Sequence, residues 1–154
     1  MEINESAFRD ARKSVNPQPC AFEKALLARC CQCGLAQRMN IGEREAVGCT
    51  DATQRQTCLA LRGQLQRNAA FALKLTHTNE PLPHAKEMKI QCGGLRGLQK
   101  VLSGSADTGD ESGGMGVSAL VRLALERYVT LDKLPYSEIM QAVAAFEIRR
   151  RRVT

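Results

Sequence analysis

Seven cysteines fall within 154 residues, and three of them, Cys30, Cys31 and Cys33, make a C-C-x-C cluster with Cys20, Cys49, Cys58 and Cys92 spaced around it. Thiolates from one short segment, completed by others from later in a chain, are how proteins hold zinc or an iron–sulfur cluster, because the local pair preorganises part of the site. On a helix Cys30 and Cys33 project to one side, while Cys31 is turned away by roughly 100°. If the helix frays at Gly34, Cys31 and Cys33 become the reachable pair instead, and both pairings stand. Cys49, in Gly48-Cys49-Thr50-Asp51, and Cys92, in Cys92-Gly93-Gly94, each precede a predicted helix. Free amides and the positive end of a helix dipole stabilise a thiolate there, and glycine permits close approach of the backbone to a cluster. Cys49, Cys92 and two of Cys30, Cys31 and Cys33 then complete a four-sulfur set. Cys58 is a reserve ligand, since it also sits on an apolar helix stripe where a free cysteine packs as a small hydrophobe. Cys20 is the weakest candidate: it precedes Cys31 by 11 residues, about 16 Å along a continuous helix.

Disulfides are not needed to explain these thiols. A chain of this length buries enough apolar surface to fold without covalent staples, and an odd cysteine number leaves at least one unpaired. The first ten residues, MEINESAFRD, lack the basic and apolar regions of a secretory signal, so a reducing cytoplasm is expected, with thiols available as ligands. No apolar run approaches the roughly 20 residues that cross a bilayer, so a soluble protein with no membrane partner is expected. The paired C-x-x-C spacing of a zinc ribbon is missing, and iron–sulfur ligation accepts more dispersed cysteines. A four-iron four-sulfur cluster is therefore the expected cofactor, with zinc as the alternative. His77 and His84 flank a proline loop and offer imidazole to zinc or to a mixed site, against the plainer role of exposed loop histidines.

The elements that position these residues read as helices almost throughout. Residues 20–39 are free of proline and rich in helix formers, with Pro17 and Pro19 before them. Residues 51–75 form the best specified helix: Asp51 caps it, with Gln54 three residues on, and Cys58, Leu61, Leu65, Ala69 and Ala72 follow along one face. Residues 76–91 carry two prolines and read as an ordered loop. A short helix then runs from Cys92 to about Leu102. The Gly-, Ser- and Asp-rich residues 103–116 have almost nothing to bury and read as a linker. Residues 117–129 and 137–150 have amphipathic patterning and form a helical hairpin too small to stand alone, which must pack on the first region or on a partner. Strand signals are sparse. The expected fold is all-α: a cysteine-lined helical domain over residues 1–102, a linker over 103–116, and a hairpin with a basic tail over 117–154.

The net charge is +6, concentrated at Arg149, Arg150, Arg151 and Arg152, while Asp107, Asp110 and Glu111 make an acidic patch. Such a tail attracts phosphates or an acidic protein surface, or is simply solvated. With no Trp, two Tyr and four Phe, the chain lacks an aromatic platform for single-stranded nucleic acid, which is not a favoured partner. No dinucleotide, P-loop, zincin or nucleophile-elbow motif is present. A cysteine-nucleophile enzyme built on Cys49 or Cys92 with His77 or His84 would leave the C-C-x-C cluster unexplained. The expected function is that of an iron–sulfur protein in electron transfer or redox sensing, working with a protein redox or regulatory partner. The alternative is a non-enzymatic interaction protein with structural zinc or no metal, presenting the hairpin and arginine tail to an acidic partner.

Overall fold

A computed structural model of the chain describes residues 15–73, 82–103 and 116–147. The elements in order are α1 (Glu23–Leu27), β1 (Ala36–Ile41), β2 (Arg44–Cys49), α2 (Ala52–Ala72), α3 (His84–Ser103), α4 (Val117–Tyr128), a 3-10 turn (Leu131–Lys133) and α5 (Tyr136–Ala145). The all-α expectation is corrected. Helix makes up 64% of the described residues, and β1 and β2 form a two-stranded antiparallel sheet.

Two local features redirect the helix expected over residues 20–39. After α1, the Arg29 N–H donates to Leu26 O at 3.1 Å and the Cys30 N–H to Ala25 O at 3.0 Å, with Arg29 at φ 62°. This paired closure ends a helix through a left-handed residue. Here the position falls to arginine rather than to glycine, so composition alone does not announce the stop. The chain then reverses through Gly42-Glu43, with Gly42 at φ 64° and Ile41 paired to Arg44. A two-residue hairpin turn needs positive φ at its first central position, which glycine adopts freely. Strand alternation is blurred because Ala46, Val47 and Gly48 are buried in succession. The cause is that β2 is bonded on both edges: Pro19 bridges Gly48, Cys20 N–H donates to Val47 O at 2.9 Å and Cys49 N–H to Gln18 O at 2.8 Å.

α2 matches its sequence signals. The Asp51 carboxylate accepts from Gln54 N–H at 3.0 Å, and Cys58, Leu61, Leu65 and Ala69 are buried, although Ala72 is exposed. Asp51→Ala removes this cap and is expected to lower stability by about 1 kcal/mol, read as a small drop in the thermal midpoint by circular dichroism.

α3 begins at His84, well before Cys92, so residues 84–91 are helical rather than loop and Cys92 lies inside the helix. The Cys92-Gly93-Gly94 sequence marks close packing, not a helix start. A Cβ on Gly93 would lie 2.7 Å from Val143 Cα, one on Gly97 would lie 2.9 Å from Ile139 Cα, and one on Gly94 would lie 2.8 Å from a Leu65 methyl. Bare backbone here lets α5 and α2 approach α3. A buried polar network adds direction: Gln66 Nε2 donates to both Glu87 oxygens at 3.1 and 3.2 Å and Gln91 Nε2 to one at 2.9 Å, while Ala25 N–H donates to Gln91 Oε1 at 3.2 Å.

Leu120, Val121, Ile139 and Val143 of α4 and α5 share one core with Phe22, Leu61, Leu65 and Ile90. The Val117 N–H also donates to Gln32 O at 2.8 Å, joining the start of α4 to the C-C-x-C segment. Residues 104–115 of the expected linker, His77 and the arginines 149–152 lie outside the described residues. Among the described residues no helix is long and apolar enough to cross a membrane.

Candidate metal centre

Four cysteines, Cys20, Cys33, Cys49 and Cys58, lie on the segments that meet where the hairpin adjoins α2. In an antiparallel pairing, opposed residues share a face and the side-chain period along each strand is two. The Pro19–Gly48 bridge sets Cys20 opposite Val47, and Cys49 is two residues beyond Val47. Cys20, Val47 and Cys49 therefore share one face, and Val47 is fully buried on it. Cys33 leads into β1 just before Ala36, the residue paired with Cys49. Cys58 is buried on α2, which starts directly after β2. α2 also grips both flanks of Cys20: Arg55 Nε donates to Pro19 O at 2.7 Å and Arg62 to Ala21 O at 3.0 Å.

The electrostatics carry the same proximity. Burial pushes the Cys20 thiol up to about 12; a Phe22 backbone hydrogen bond opposes this, and Cys33, Cys58 and Cys49 reinforce it. Burial also raises Cys58, with the Gln54 amide opposing and Cys33 and Cys49 adding to it. Like charges felt between these sulfurs mean that ionising one is harder beside another, which a bound cation would reverse.

Cys92, then Arg96, draws the Cys30 thiol down to about 7 against the opposing effect of burial, while Cys30 and burial raise Cys92 and Arg96 opposes that rise. For Cys31, burial raises the pKa, then Cys30, Cys20 and Cys33 add to the rise while Arg38 counters it. Beside it, a cleft of about 400 Å³ is lined by Cys31, Cys33, Arg29, Arg38 and Glu45. Arg38 is fixed there by Glu45 at 3.0 Å and Leu26 O at 2.8 Å.

Of the six cysteines expected as ligands, Cys33, Cys49 and Cys58 act electrostatically on Cys20, Cys92 acts on Cys30, and Cys31 is affected by Cys30, Cys20 and Cys33. The low ranking of Cys20 rests on a continuous helix, whereas its segment is extended and bonded to β2. Pro17 and Pro19 carried that signal, since residues before proline are held out of the helical region and Pro19 opens the bridge to Gly48. His84 is apart from the thiols, its Nδ1 3.1 Å from Lys24 Nζ at the start of α3.

All seven cysteines are free thiols. Cys49 Sγ donates to Asp51 O at 3.2 Å, and Gln54 Nε2 donates to Cys58 Sγ at 3.4 Å. In this arrangement no three His, Cys, Asp or Glu side chains among the described residues are close enough together to hold a metal ion. The chain matches no protein-family model, no curated protein and no solved structure.

Proposed function

We propose that the protein binds an iron–sulfur cluster through Cys20, Cys33, Cys49 and Cys58 and uses it in electron transfer or redox sensing. The observation that supports this reading is that four thiols on four separate stretches lie near the junction of the hairpin with α2, three of them raising the pKa of Cys20. Each stretch is held by backbone bonds or by the α2 arginines. Clusters accept such dispersed cysteines, and their charge makes ligation by buried thiolates favourable. Cys33 adjoins Gln32, whose carbonyl receives the Val117 N–H. Gain or loss of a cluster would therefore act on the start of α4, giving the sensing branch a route to the C-terminal helices and to a protein partner there. Zinc in the same thiols is the second reading, and would make the site a structural tie.

Anaerobic purification with iron, acid-labile sulfide and zinc quantified together tests this. About four iron and four sulfide per chain with broad visible absorption are expected for the cluster. Stoichiometric zinc in a colourless protein moves the assignment to the second reading. Protein that folds, stays reduced and carries neither metal removes both.

A further inference from the structure

We propose that the cleft at Cys31 and Cys33 is a binding site for a small carboxylate-bearing thiol of the glutathione class. The cleft is about 400 Å³, within the size range of pockets that enclose small molecules, and three chemistries line it: the guanidinium groups of Arg29 and Arg38, the carboxylate of Glu45, and the thiols of Cys31 and Cys33. Arg38 is held ready. Its Nη1 donates to Glu45 Oε1 at 3.0 Å and its Nη2 to Leu26 O at 2.8 Å. A guanidinium carries five N–H donors in one plane, so these two bonds fix the plane and leave further donors to meet a carboxylate. Arg29 is brought to the same cleft by the left-handed turn that ends α1, at φ 62°, and is exposed. Glycine is the usual residue in that conformation, and a non-glycine residue held there is a reason to look for a role beyond packing.

The lining selects the ligand. Two guanidinium groups against one carboxylate leave the cleft net positive, which favours an anion. Because the arginines stand on separate segments, the turn after α1 and strand β1, two carboxylates on one molecule suit them. An ammonium group suits Glu45, and a sulfur suits the polarizable wall made by Cys31 and Cys33. A molecule with two carboxylates, one ammonium and a thiol meets all three chemistries, whereas inorganic phosphate meets only the arginines. Binding makes and breaks no covalent bond, so a reduced ligand leaves the protein thiols as they are. Arg29, Arg38, Glu45 and Cys31 are outside the four proposed metal ligands, and only Cys33 is shared. That the bound sulfur neighbours the metal centre through Cys33 rests on the metal reading; the binding itself does not.

The test is isothermal titration calorimetry of anaerobically purified full-length protein with reduced glutathione at neutral pH, as purified and again after chelator treatment. Saturable one-to-one binding with a Kd of about 1 mM or tighter is expected in both samples. S-methylglutathione, which keeps the carboxylates and the ammonium but caps the thiol, should bind roughly fivefold more weakly, and inorganic phosphate more weakly still. Arg29→Gly removes a guanidinium while suiting the left-handed backbone, so it should melt no lower than the wild type and bind glutathione about tenfold more weakly. Arg38→Lys, which keeps the charge but loses the planar fork, should also weaken binding. Absence of saturable binding, equal affinity for S-methylglutathione or phosphate, or unchanged affinity in Arg29→Gly overturns the proposal. Binding confined to the metal-containing sample assigns the contact to the metal instead of the cleft and overturns it too. Protein that binds glutathione but carries no metal removes the metal centre and leaves this site standing. The wild-type titrations decide the matter even where a variant does not fold.

Discussion

Gly93→Ala is expected to destabilise the protein by about 1–3 kcal/mol, while Gly63→Ala should stabilise it by up to about 1 kcal/mol. The two substitutions are chemically identical and both lie inside helices, so any difference of sign must come from surroundings. Alanine replaces glycine in a helix with a gain of about 0.8–1.0 kcal/mol, because glycine has more backbone freedom to lose on folding. At Gly63 a Cβ meets only the end of the Arg67 side chain at 3.5 Å, an ordinary contact with a flexible group. The propensity gain is therefore retained there. At Gly93 the same atom would meet Val143 Cα at 2.7 Å, Ala142 O at 3.1 Å and Phe146 Cβ at 3.1 Å. Two of those atoms are backbone, so relief requires α5 to move away from α3, opening the core that includes Ile139 and Val143. Overpacking of this kind outweighs the propensity gain. For a domain of this size the midpoint should fall by several degrees in Gly93→Ala and rise slightly in Gly63→Ala, by calorimetry or circular dichroism. A stabilised Gly93→Ala would mean that α3 and α5 are not in close contact.

The same glycines show what was legible in the sequence. Helix α2 could be read because each local signal agrees: a carboxylate cap at Asp51, Gln54 inside the first turn, and a buried stripe from Cys58 to Ala69. The α4–α5 region was readable for a similar reason, its amphipathic period. Cys92-Gly93-Gly94 misled because a glycine kept for close packing and a glycine kept for conformational freedom are the same letter; only a neighbour at 2.7 Å tells them apart. The hairpin was hidden by a Gly42-Glu43 turn without asparagine or aspartate and by a strand buried at three successive positions. Stopping α1 at an arginine with positive φ hid it further, since helix propensity favours continuing through that residue. The consequence for the candidate site is direct. Assuming a helix through residues 20–39 sends Cys20 and Cys33 to opposite ends of a rod, whereas the observed turn and strand bring them back together. That the cysteines matter was visible from their spacing; which ones meet depended on a backbone reversal set by tertiary contacts.

Substituting the cysteines one at a time should divide them into two classes that the spacing alone does not separate. Cys20→Ala, Cys33→Ala, Cys49→Ala and Cys58→Ala are each expected to lower retained metal at least tenfold. Loss even of an outer-shell partner costs 10–100-fold in affinity, and a direct sulfur is worth no less. Cys30→Ala and Cys92→Ala should leave metal retention near that of the wild type, because neither is among the four proposed ligands and each acts chiefly on the other. Cys20→Ala is the decisive member. Cys20 is only partly buried and its backbone bond to Val47 O does not involve the sulfur, so the variant should keep its helix content while losing metal. Cys58→Ala separates less cleanly, since Cys58 is 7% exposed and also fills the core. Its metal loss therefore has to be compared with a thermal melt of the metal-free protein: a ligand effect lowers retention beyond what the fall in apo stability explains. Binding free energy held only by the folded state adds to stability, so the metal-loaded wild type should melt higher than the apo form, and Cys20→Ala should melt at the same temperature with or without added metal. Retention that survives Cys20→Ala but collapses in Cys92→Ala would move the centre to the Cys30–Cys92 group and dissolve the four-thiol assignment.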